Sequence, residues 1–202
     1  MDIATLVRPR SIDEAYEYVT EKGAMLLGGG AWSRTSSRRV EIAVDLAALD
    51  LRYIRATGDR IEIGAMATAR DIETSELLER SFGPAFREAV SHIVGVQLRN
   101  IISVGGTVAG RFGFSDLNTL LLALDAKIAL HRTGEVEMQS FLMGRVPMPL
   151  LIEKIILGPG RAAFQSVRNT REDLPILNAA AAYTGGRWRL AVGSRPGPSR
   201  LA

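Results

Sequence analysis

The sequence predicts an α+β fold, on three observations. Helical apolar stripes and alternating strands follow one another without the regular strand–helix repeat of a Rossmann sheet. Two glycine-rich turns, Leu26-Leu27-Gly28-Gly29-Gly30-Ala31 and Ser103-Val104-Gly105-Gly106-Thr107, each leave a short apolar run that reads as a strand. A third turn signal, Gly158-Pro159-Gly160, stands between two apolar strands and marks a boundary. The 202 residues thus divide into units 1–55, 56–158 and 161–202.

The first 55 residues read as one helix and three strands. Ser11-Ile12-Asp13-Glu14 has the form of a capping box, and Ala15, Tyr18 and Val19 continue a helical stripe that stops at Gly23. Strands are expected at 24–27, 41–46 and 50–55, the second by alternation of Ile42 and Val44 with polar neighbours. Residues 60–64 alternate as a strand, and a helix is expected from Thr68 or Ala69 through Leu77-Leu78. Pro84 suits the first turn of a helix toward His92, and Ser115-Asp116 caps a compact apolar helix over 117–124. Further strands are expected at 127–132, 135–138, 152–157, 163–168 and 187–192, the last two around an alanine-rich segment, 178–182. The tail from Gly193 to Pro198 reads as a loop, and its position suggests truncation of a longer module.

Composition narrows the function classes. With 47% hydrophobic and 23% charged residues the chain can build a core, which excludes a disordered chain. The net charge of +3 is carried by arginine, with lysine at positions 22, 127 and 154. The cluster Arg34, Arg38 and Arg39, interrupted by Thr35, Ser36 and Ser37, has no interleaved aromatics, which argues against nucleic-acid binding. Without cysteine the chain cannot bind an iron–sulfur cluster through thiolates or form a disulfide. The N-terminus lacks an apolar run of roughly 7–15 residues, and no segment reaches about 20 apolar residues, so the expectation is a cytoplasmic protein with no membrane span. His92 and His131 have no second ligand at metal spacing and read as ordinary surface or core residues.

A glycine pair after a strand lets backbone approach a ligand and point successive N–H groups at an anion such as a pyrophosphate. Two such turns could clamp one diphosphate from both sides. Asp116, nine residues past Thr107, either accepts hydrogen bonds from a ribose or starts a helix. Walker A, GxGxxG, HExxH and GxSxG patterns are all absent.

The run Gln97-Leu98-Arg99-Asn100-Ile101-Ile102-Ser103-Val104-Gly105-Gly106-Thr107, followed by Ser115-Asp116 and Leu120 to Ala126, resembles the flavin-binding medium subunit of the molybdopterin hydroxylases. That family includes the xanthine and carbon monoxide dehydrogenases. Ile61 to Ala65 with Thr68, Arg168 to Ala182, and Ala191-Val192-Gly193 with Pro196 are similar to further elements of the family in the same order. The resemblance implies a PCMH-type FAD-binding fold: a small α/β subdomain, a larger mixed subdomain and a partial C-terminal flavoprotein domain. It places the first pyrophosphate loop on Leu27, Gly28, Gly29, Gly30, Ala31 and Trp32, and the second on Ser103, Val104, Gly105, Gly106 and Thr107. It places the ribose-side acid on Asp116 and a flavin-side apolar position on Leu151 or Ile152, and implies no catalytic side chain.

The implied cofactor is FAD, with molybdopterin and 2Fe–2S clusters on a large and a small partner subunit. Electrons would leave for NAD, a quinone or oxygen. The chain departs from the family at Ala31 and Trp32, where small polar residues are usual, and at Thr107, where asparagine is usual. A common lysine falls on Gln165 or Ser166, and the family continues past residue 202, which leaves an exposed apolar sheet face as an expectation. These departures define the alternative, a scaffold subunit that has lost FAD. A lone flavin reductase related to UDP-N-acetylenolpyruvoylglucosamine reductase is a more distant reading, with no proton donor placed by motif.

Overall fold

The computed structural model describes residues 1–35, 37–93, 95–146 and 148–202; Ser36 of the arginine–serine cluster lies outside the described residues. Strand β1 (Asp2–Val7), helix α1 (Ile12–Lys22), β2 (Met25–Leu27) and β3 (Arg39–Asp45) form a parallel sheet in the order β1-β3-β2. Ser11 Oγ accepts the Glu14 N–H at 3.1 Å, and Gly23 ends α1 at φ 60°, in the left-handed region glycine tolerates. The Glu14 carboxylate accepts from the Arg10 N–H at 2.7 Å, so the expected capping box closes one residue early. The helix buries Ala15 against Ala24, Val44 and Leu46.

The second sheet is antiparallel, in the order β4-β5-β8-β6-β7: β4 (Ile54–Thr57), β5 (Arg60–Gly64), β6 (Lys127–Leu130), β7 (Gly134–Glu137) and β8 (Ile152–Leu157). The strand expected at 50–55 starts only at Ile54 and pairs in this sheet. Upstream of it, the Leu51 carbonyl accepts the Met66 N–H at 2.8 Å and stands where a β-carbon on Gly64 would lie, 2.2 Å away. The helix expected from Thr68 splits into α2 (Ala69–Glu73) and α3 (Glu76–Phe82), because Ser75 Oγ accepts from the Leu78 N–H and starts a new helix. Then come α4 (Ala85–Ser91) after Pro84, α5 (Val96–Arg99), α6 (Val104–Gly110), α7 (Asp116–Ala123) and α8 (Met138–Leu142); α5, α6 and α8 are helices that the sequence does not predict.

Strands β9 (Gly160–Val167), β10 (Leu177–Thr184), β11 (Arg187–Gly193) and β12 (Arg200–Leu201) form an antiparallel sheet in the order β12-β11-β10-β9. The alanine-rich segment is the strand β10, paired on both sides. Alanine has low strand propensity, but here small side chains let α7 lie on the sheet, with Ala180 and Ala182 buried. The outer face carries Val167, Leu177, Tyr183, Trp188 and Leu190, all exposed. The tail is not idle: β12 pairs with β11, and the Ser194 N–H donates to the Gly113 carbonyl at 2.7 Å.

Every residue of α7 is buried, and its polar groups meet the last sheet. Thr119 Oγ1 donates to Asn178 Oδ1 at 2.8 Å and lies 2.8 Å from Ser199 Oγ. Gly193 makes room for this cluster, since a β-carbon there would lie 2.2 Å from Asn178 Oδ1 and 2.3 Å from Thr119 Oγ1. Among the described residues no helix is long and apolar enough to cross a membrane, and no group of three His, Cys, Asp or Glu side chains could hold a metal ion. We predict that Gly193→Ala costs about 1–3 kcal/mol by overpacking, read as a lower urea midpoint with an unchanged denaturant slope. An unchanged midpoint would show that the cluster can yield.

Candidate functional site

The two glycine turns meet, but not across a gap. A β-carbon on Gly29 would lie 1.2 Å from the Ile101 carbonyl oxygen, and one on Gly28 would lie 2.4 Å from Ser103 Oγ. Glycine is required here because backbone packs on backbone. Ser103 Oγ accepts from the Gly29 N–H at 3.4 Å and the Gly106 N–H at 3.3 Å, which pins one turn to the other.

The second glycine pair does not follow a strand, as the sequence suggested; it lies in the first turn of α6. Its N–H groups are committed internally. Val104 donates to the Ala67 carbonyl at 2.8 Å, Gly105 to the Ala65 carbonyl at 2.8 Å, and Thr107 to the Ser103 carbonyl at 3.0 Å. Gly105 packs on Ala65, whose β-carbon a side chain there would meet at 2.9 Å. In the first turn Gly30 adopts φ 72°. Among the described residues, the N–H groups of Gly30, Ala31 and Trp32 have no acceptor. Among the described residues, then, the first turn has N–H groups open to an acceptor, while those of Val104 to Thr107 are used internally.

Beside that turn opens a cavity of about 440 Å³. Of the residues expected at a cofactor site, Ala31, Trp32, Val104, Thr107 and Asp116 line it. Leu27, Gly28, Gly29, Gly30, Ser103, Gly105 and Gly106 belong to the two turns. Leu151 does not join them: it is buried with Ala15, Ala24, Val44 and Leu46 in the core under the first sheet, and Ile152 lies in the main core.

Asp116 is not a free carboxylate. Arg168 Nη2 donates to its Oδ2 and Asn178 Nδ2 to its Oδ1 at 2.7 Å, with the Asp116 and Arg168 side chains 9% and 8% exposed. Burial pushes the Asp116 carboxyl above the ordinary carboxylate value, and Arg168 and Asn178 return part of that shift. Arg168 also donates to Ser166 Oγ and to the Asp173 carbonyl, and so fixes the segment carrying Glu172, Asp173, Leu174 and Pro175 along the cavity.

The sequence reading missed several lining residues. Phe112 and Phe114 stack with centroids 5.2 Å apart and planes at 15°. His92 Nδ1 lies 3.2 Å from the Arg171 carbonyl, and Ile93, Leu98 and Ile102 add aliphatic lining. Arg99 holds this last wall in place: it pairs with Glu73 at 2.9 Å and donates to the carbonyls of Ser91 and Ile93. Its place in the Gln97–Asn100 run was the signal that could have shown it. His131, the other histidine, is held between Glu153 at 2.6 Å and Asp13 at 3.1 Å, outside the cavity.

The family model described as the FAD binding domain in molybdopterin dehydrogenase matches residues 2–157. The Escherichia coli K12 protein YgfM is 27% identical over 187 residues, covering 90% of this chain and 70% of that protein. The carbon monoxide dehydrogenase medium chain of Hydrogenophaga pseudoflava is 30% identical over 129 residues, covering 60% of this chain and 45% of its own length. Among solved structures, a chain of the reconstituted carbon monoxide dehydrogenase from Oligotropha carboxidovorans superposes with a TM-score of 0.86 at 23% identity. The match covers 100% of this chain and 78% of that one, and shows the same fold.

Arg168→Met would leave Asp116 as a buried carboxylate without its counter-charge, and we predict a loss of about 3–5 kcal/mol near neutral pH. A carboxyl raised in the folded state favours folding at low pH and loses that advantage as pH rises through its folded value. The deficit should therefore shrink on acidification, and Asp116→Asn in the same chain should recover most of it. Urea unfolding as a function of pH checks this; a deficit independent of pH would contradict it.

Proposed function

The chain belongs to the family of the FAD binding domain in molybdopterin dehydrogenase, and from that premise we propose that it is the flavin subunit of a molybdenum hydroxylase. In this reading its FAD receives electrons from 2Fe–2S clusters on a small subunit, while substrate reacts at molybdopterin on a large one. The acceptor would be NAD, a quinone or oxygen. Residues 1–55, 56–158 and 161–202 would serve as the two FAD-binding subdomains and a C-terminal unit.

The observation that carries the reading is the pairing of three unpartnered N–H groups, on Gly30, Ala31 and Trp32, with an adjoining cavity of about 440 Å³. Successive open donors beside a largely apolar pocket suit a dinucleotide, whose diphosphate and flat rings need those two environments. FAD, when bound, supplies the passage of electrons between a one-electron donor and a two-electron acceptor. This chain's residues would bind and orient it. The first turn would neutralise the diphosphate, Ser103 and the α6 backbone would hold that turn rigid, and the lining of Ile93, Leu98 and Ile102 would exclude water. Asp116 would act through Arg168 and Asn178, by fixing the cavity wall, ahead of any contact with a ribose.

A scaffold without flavin is favoured by one feature, the internal use of every N–H from Val104 to Thr107. Incubation with FAD, gel filtration and a visible spectrum decide between the two. We predict retained flavin in the parent chain. Gly29→Ala should lose it, because the new methyl would displace the turn from the Ile101 carbonyl, while circular dichroism stays close to that of the parent. A colourless, folded parent would leave the scaffold reading standing.

A further inference from the structure

Trp32 is 54% exposed, yet it is ordered against two other rings: its centroid lies 5.0 Å from that of Phe112 and 5.8 Å from that of Phe114. The three rings form one continuous aromatic wall on the cavity. Both ends of the wall are braced by backbone. Thr35 donates to the Trp32 carbonyl through its N–H at 3.3 Å and its Oγ1 at 2.8 Å, which fixes the main chain that carries the indole. Gly113, between the two phenylalanines, packs on the tail, where a β-carbon would lie 2.2 Å from the Gly197 carbonyl oxygen, and its own carbonyl accepts the Ser194 N–H. A large aromatic surface held rigid and left half in water is the arrangement that stacks on a planar ligand at low entropic cost.

We propose that this wall is a ring-stacking platform, with Trp32 as the positioning residue for one of the two flat rings of the dinucleotide. The inference rests on the FAD reading above and deepens it. Trp32 joins the two halves of the site: its N–H is the last of the three unpartnered donors, and its indole is the nearest ring of the wall to them in the chain. A diphosphate held at Gly30–Trp32 brings a nucleoside or flavin ring within reach of that indole. The indole packs on two rings that line the cavity with it and leaves half its surface open to a ligand.

Trp188, the other tryptophan, lies on the outer face of the last sheet and is 71% exposed, so Trp188→Phe leaves Trp32 as the sole indole reporter. FAD affinity is measured by calorimetry on the full chain carrying Trp32→Ala or Trp32→Tyr, with circular dichroism to show that each folds. The expected result is about a tenfold loss for Trp32→Ala, with most of the affinity restored by Trp32→Tyr, which keeps a flat ring. In the Trp188→Phe chain, a change in Trp32 emission on adding AMP assigns the platform to the adenine, and one on adding FMN assigns it to the flavin ring. Unchanged FAD affinity in Trp32→Ala, or an equal loss in both Trp32 variants, overturns the stacking role and leaves the FAD reading intact. Absence of FAD binding by the parent chain overturns both.

Discussion

Helix α7 is buried along its whole length, and the rest of the site follows from that constraint. A buried helix must satisfy its N-terminal polar groups inside the protein, and here the partners come from elements far away in the chain. Ser115 caps it, Asp116 takes Arg168 from the end of β9 and Asn178 from β10, and Thr119 reaches Asn178 and Ser199. The network brings the last sheet onto the helix, and Gly193 is without a side chain because the network occupies that space. Arg168, held this way, carries the 172–175 segment to the cavity wall. Removing one charge of such a pair is costlier than never having had it, so the network specifies how the last sheet docks.

The second constraint is steric. Gly28 and Gly29 bring the first sheet's loop into contact with the backbone at Ile101–Ser103, and Ser103 takes one N–H from each side. One glycine motif thereby supports the other, and in the proposed reading the supported turn faces the diphosphate. Family membership supplies the cofactor, and the proposed division of labour rests on three features: N–H groups of the first turn without an acceptor among the described residues, an apolar pocket beside it, and a packed frame behind both.

Much of this was legible in the sequence, where local chemistry decides the outcome. The Ser11 cap, the Gly23 stop, the Ser115 cap and the alternation at 41–46 and 60–64 act over a few residues, and each formed near its expected place. Features set by distant partners were not legible. The alanines of β10 form a strand because α7 lies on them. The Gly105-Gly106 pair enters a helix because Ala65 and Ala67 offer their carbonyls. Phe112 and Phe114, two residues apart, carry no signal of their own; they stack on either side of Gly113, which packs against the distant 194–198 segment. Leu151 packs with Ala15, Ala24, Val44 and Leu46, because an apolar residue before a strand can face either of two cores and sequence alone does not choose.

The central claim is that the dinucleotide is held by the first glycine turn and the adjoining aromatic cavity. A crystal structure of the chain with FAD tests it most directly. The account predicts the diphosphate on the N–H groups of Gly30, Ala31 and Trp32, with one ring against the Trp32–Phe112–Phe114 wall. A diphosphate bound instead at the N-terminus of α6, with the Val104 and Gly105 N–H groups released from Ala67 and Ala65, would contradict it.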